Sequence, residues 1–85
     1  MFMTTNDVIQ FNENHKWRGC LGIITETKLI FNPNQAGDKL NDIRYMIGVP
    51  IPQKGTAYIY VLESEKALEK IGEAVLIAKE CETND

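Results

Sequence analysis

The alternation of apolar and polar positions sets out a chain of short strands. Asp7-Val8-Ile9-Gln10-Phe11 places Ile9 and Phe11 either side of a polar Gln10, the two-residue period of a half-buried strand. Residues 12–19, with two Asn, a basic cluster and Gly19, break that period and predict a loop. The pattern resumes in Cys20-Leu21-Gly22-Ile23-Ile24-Thr25-Glu26-Thr27, where a lone Gly inside β-branched residues marks a bulge or a close backbone approach. Lys28-Leu29-Ile30-Phe31 either extends this strand or begins another. Residues 32–39 are dense in turn formers, and residues 40–43 predict one ragged helical turn or coil with no core contribution. Residues 44–49 and 56–62 predict a long hairpin, with Pro50 and Pro52 placing the end of its first arm at a sheet edge.

The last apolar segment has two readings. Ser64 before Glu65-Lys66-Ala67-Leu68 has the form of a capped helix start, with Ala67, Leu68 and Ile71 on one side. A helix continuing to Lys79 would carry Gly72 at a cost of about 1 kcal/mol relative to Ala. The preferred reading ends the helix at Gly72 and makes residues 73–78 a final strand with Val75 and Ile77 inward. Residues 79–85 form a short polar tail.

The 85 residues are 44% hydrophobic and 25% charged, which describes one small domain spanning 1–85. Such a domain has one thin core and no room for a deep cleft between lobes, so large-cofactor enzymes are disfavoured. Two cysteines, Cys20 and Cys81, are fewer than a disulfide-stapled secreted scaffold of this size carries, and predict free thiols in a reducing compartment. With no long apolar run and no basic leader-like start, the expected setting is the cytoplasm, without membrane contact. Residues 1–60 hold six basic and five acidic groups, and residues 61–85 hold three and seven. The net charge of −3 lacks the global field of a general nucleic-acid binder, so any such binding has to be local.

Residues 7–26 resemble the KOW motif, the strand–loop–strand element of small SH3-like barrels in ribosomal proteins and in transcription elongation and antitermination factors. Asp7, Ile9, Phe11, Arg18, Gly19, Gly22 and Ile24 fall in order on that pattern. Asn6 stands where the family usually has Gly, and the loop from Phe11 to Gly19 is one residue longer than usual. The resemblance implies a mainly β, SH3-like (KOW-type) barrel of about five strands, here with one short C-terminal helix, and a loop that contacts RNA or a nucleoprotein. Gly19 then serves a turn and Gly22 lets strands coil closely across each other. In size and style the chain also resembles small proteins of phages and mobile elements.

The candidate binding residues fall into two groups. His15, Lys16, Trp17 and Arg18 combine two fixed positive charges, a large ring and an imidazole in one loop. They suit phosphate contact with base stacking on Trp17; the other reading folds Trp17 back over the core and leaves Lys16 and Arg18 solvated. Tyr58 and Tyr60 share a strand face with Thr56 and Leu62, opposite Ala57, Ile59 and Val61. That tyrosine face is either covered by the short helix or, beside Tyr45 or Arg44, forms an open surface for a partner.

Support for catalysis is thin. The single histidine, His15, has no orienting third group and no paired nucleophile in view, so no enzyme is expected. His15, Cys20 and Cys81 are too few and too dispersed for a structural zinc site, and no glycine-rich loop precedes a helix, so neither metal nor cofactor is expected. The expected function is non-catalytic binding: another protein first, as an adaptor or inhibitor, and RNA or a nucleoprotein through residues 12–19 second.

Overall fold

The computed structural model describes residues 2–31 and 40–74. Its strands are β1 (Asp7–Phe11), β2 (Leu21–Phe31), β3 (Leu40–Ile51), β4 (Gly55–Leu62) and β5 (Leu68–Glu73). They form one antiparallel sheet in the order β4-β3-β2-β1-β5, so the first four follow each other as a meander and the last returns to the free side of β1. The expected turn-rich loop at 32–39, residues 75–78 of the expected last strand, and the tail with Cys81 lie outside the described residues.

The core follows the two-residue period. Ile9 and Phe11 of β1, Ile24 of β2, Tyr45, Ile47 and Val49 of β3 and Val61 of β4 all point to one side and are buried. Ile43 joins them, against the expectation of no core in residues 40–43. Those residues are the first part of β3, because Phe31 and Leu40 pair directly and residues 28–31 simply prolong β2. Past Ile24 the ladder shifts by one residue at Thr25, whose hydroxyl donates to the Met46 carbonyl at 3.1 Å. A bulge of this kind bends the strand and raises its twist.

Two glycines act as their positions require. Gly19 has φ +89°, a left-handed conformation that closes the β1–β2 loop. Gly22 is buried, and a Cβ there would stand 2.6 Å from Ile47 Cγ2 and 3.1 Å from the Gly48 carbonyl oxygen. Strand β2 can lie this close to the core side of β3 because it has no side chain at that point.

The hairpin of β3 and β4 is present, with arms longer than the pattern suggested. Pairing of β3 with β2 ends at Ile23 and Gly48, so Pro50 leaves no β2 partner without a donor. At the tip, the Lys54 N–H donates to the Ile51 carbonyl at 3.0 Å across Pro52 and a left-handed Gln53.

The short C-terminal helix does not form. Its place is taken by one 3-10 turn, Glu63–Glu65, followed by strand β5, and Ile71 is exposed where the helical stripe would have buried it. Local partners explain the change. The Ser64 hydroxyl, expected to cap a helix, donates instead to Asp42 Oδ2 at 2.6 Å. Lys66 then adopts a left-handed conformation that no helix continues through, while its carbonyl accepts from both Asn12 and Asn14 side chains at 2.9 Å. The Asn12 N–H takes the Ala67 carbonyl, and from Leu68 onward the chain satisfies its backbone on the open edge of β1.

Candidate functional site

The 12–19 loop is a tightly bonded series of turns. Gly19 N–H donates to the Phe11 carbonyl at 2.7 Å and Cys20 N–H to the Trp17 carbonyl at 3.0 Å, while the Trp17 N–H donates to His15 Nδ1 at 3.0 Å. Trp17 is half-buried and packs against the core, edge-on to Phe11 with ring centroids 6.1 Å apart. The His15 ring completes the cluster, 4.6 Å from Phe11 and 6.1 Å from Trp17. Lys16 and Arg18 are exposed. The loop therefore gives two cations to solvent and spends much of its indole ring on packing.

The second group sits on the face of the sheet away from the core. Tyr58 is 61% and Tyr60 57% exposed, so no element among the described residues covers them, which removes the helix-cover reading. The Arg44 guanidinium lies over the Tyr60 ring, 4.2 Å from its centroid, a cation–π contact. Tyr45 does not join this surface; it is fully buried.

A cross-strand row runs through all five strands on this outer face: Gly72, Val8, Ile23, Gly48, Tyr58. Gly48 gives the row a low point, and around it Val8, Leu21, Ile23, Pro50, Thr56 and Tyr58 enclose a groove of about 400 Å³. Leu21 is 47% and Ile23 37% exposed at its wall. A neighbouring depression of about 250 Å³ is lined by Trp17, Cys20 and residues 49–52. Pro50 borders both, so the indole and the tyrosine face meet along one apolar surface. Arg18 instead borders a separate depression with Gln10, Glu13 and Glu69.

Of the seven residues singled out in the sequence, Trp17 and Tyr58 border this surface directly, and Tyr60 and Arg44 continue the tyrosine face. Val8, Leu21, Ile23, Gly48 and Pro50 were missed. The signal for Leu21 and Ile23 was the apolar run from Cys20 to Ile24: in an antiparallel sheet with one wet face, apolar residues on both sides of a strand mean that the outer face is not fully polar.

The groups with shifted titration sit in contacts that hold the fold. Burial pushes the Tyr45 phenol up to about 12, aided by its hydrogen bond to Glu63 Oε1 at 2.8 Å. The Ser64 hydroxyl holds Asp42 below the usual carboxylate value. The Glu73 carboxylate, 2.9 Å away, raises Lys70, which also reaches buried Asp7 at 3.4 Å and so ties β5 to β1. Among the described residues, no three His, Cys, Asp or Glu side chains cluster to hold a metal, and no helix is long and apolar enough to cross a membrane. The chain matches no known protein-family model, no curated protein and no solved structure to which it was compared.

Proposed function

We propose that the protein is a non-catalytic, cytoplasmic module that binds another protein through the apolar outer face centred on Ile23, Gly48 and Tyr58, as an adaptor or inhibitor. The observation that carries this reading is the exposed, contiguous apolar groove on a sheet whose opposite face already fills the core. Small soluble domains seldom leave such a patch open, and apolar side chains with tyrosines and a flanking arginine are the composition favoured at protein interfaces. The same reading takes the fold as a strongly bent, SH3-like barrel of the KOW type. Support comes from the return of β5 beside β1, the bulge at Thr25 and the missing side chain at Gly22, all of which curl a sheet.

The test is capture of a partner from the source cell, repeated with Ile23→Glu and with Lys28→Ala. Loss with the first and retention with the second, unaffected by ribonuclease, supports the reading. Equal recovery with both contradicts it.

RNA binding is the second reading, carried by the exposure of Lys16 and Arg18 on the 12–19 loop. Phosphate contacts there would make log affinity for single-stranded RNA fall with log salt at a slope near −0.7 per neutralised charge, and Lys16→Ala would reduce that slope. The half-burial of Trp17 against the core weighs against this reading, since it leaves less of the ring free to stack on a base.

A further inference from the structure

The two edges of the sheet differ in chemistry. Strand β5 carries Glu69, Lys70 and Glu73 within six residues and has a register break at Ile71, the charges and bulge that keep an edge from pairing with another chain. Strand β4 has none of these. Its eight residues, Gly-Thr-Ala-Tyr-Ile-Tyr-Val-Leu, contain no proline and no acidic or basic side chain, pair with β3 in unbroken register, and have no strand on their other side among the described residues. Aromatic and β-branched residues dominate the strand, which is the composition that pairs readily. Ala57 and Ile59, on the inner face, remain half-buried, so the core is incompletely closed along this edge.

We propose that β4 is the interface of a homodimer, in which the β4 strands of two copies pair antiparallel and join their sheets. A second copy suits this edge because self-pairing opposes every side chain to one from the same strand, and a strand without fixed charge meets no repulsion from itself. Two antiparallel copies in one continuous sheet are related by an axis through the sheet, so residues on the same face oppose each other. With the axis at Ile59, Tyr58 faces the copy's Tyr60 and Ala57 faces the copy's Val61. This pairs aromatic side chains on the outer face and covers the half-buried inner face at once. The guarded β5 edge is left free. Thr56 and Tyr58 of β4 also line the groove, but the dimer does not rest on the protein-binding reading: self-association is read on the chain alone, and Ile23 and Gly48 of the groove lie two strands and one strand in from this edge.

Sedimentation equilibrium over a wide concentration series tests the proposal, with the full chain as wild type, Tyr58→Lys and Thr56→Lys. Both substitutions place a charge at an exposed position of the edge strand. The wild-type mass is expected to rise from 9.6 kDa towards twice that value, and each lysine variant, folded by circular dichroism, to dimerise at least about tenfold more weakly. If Tyr58→Lys does not fold, Thr56→Lys decides. A wild type that stays monomeric throughout, or a folded lysine variant that dimerises like the wild type, overturns the proposal.

Discussion

Ile23 of β2 stands directly opposite Gly48 of β3, so an exposed apolar side chain faces a position with none. That pairing makes the floor and one wall of the outer groove. A Cβ on Gly48 would meet Thr56 Cγ2 and Tyr58 Cε1 at 3.3 Å, both belonging to exposed side chains that can move aside. Gly48→Ala is therefore expected to leave stability within about 1 kcal/mol of wild type, while weakening capture of the partner by raising the groove floor. Urea unfolding and a binding titration read the two effects separately.

The same substitution on the core side has the opposite outcome. Gly22→Ala places a methyl group 2.6 Å from Ile47 Cγ2 and close to the Gly48 carbonyl, where side chain and backbone would both have to shift. A loss of about 1–3 kcal/mol is expected in urea unfolding. A variant as stable as wild type would show that β2 and β3 are not held as close as the geometry gives.

Trp17→Ala separates packing from recognition. The ring is half-buried against Phe11 and the core, so truncation is expected to cost about 2–3 kcal/mol by urea unfolding followed by circular dichroism. Lys16→Ala and Arg18→Ala, at exposed positions, should stay within about 0.5 kcal/mol. Equal stability of all three variants would mean that the indole is not part of the core.

Alkaline unfolding follows from Tyr45. Its phenol is raised from 10.0 to about 12, chiefly by burial, and its hydroxyl donates to Glu63 while accepting from the Met3 N–H. Below pH 10 both states keep the proton. Between pH 10 and about 12 the unfolded chain binds fewer protons than the folded one, so stability falls as pH rises, by up to roughly 2–3 kcal/mol. Tyr45→Phe should flatten this part of the profile and cost about 1 kcal/mol at neutral pH, because Met3 N–H loses its acceptor. Thermal unfolding across pH 8–12 measures both.

The strands were legible where local pattern and tertiary pairing agree. Ile9 and Phe11 flank polar Gln10, and both arms of the β3–β4 hairpin are apolar and bounded by turn residues. Gly22 was legible as a bulge or a close approach, because an isolated glycine in a strand has few other uses, and the structure gives the close approach. The segment after Ser64 misled for a physical reason. Its helix propensity and cap are local, whereas the Asp42 carboxylate that takes the Ser64 hydroxyl, and the β1 edge that takes residues 68–73, are distant in sequence. Residues 40–43 misled in the same way, since Ile43 becomes core only once β2 lies beside it. The groove escaped notice because its residues come from four strands and meet only through register.

A photo-crosslinking side chain placed at Ile23, in the groove wall and two strands in from the β4 edge, tests the central claim most directly. Irradiation in the source cell is expected to give an adduct with a protein other than a second copy of the chain, resistant to ribonuclease and absent when the same group is placed at Lys28. No adduct at Ile23, or an adduct that ribonuclease removes, would contradict the account.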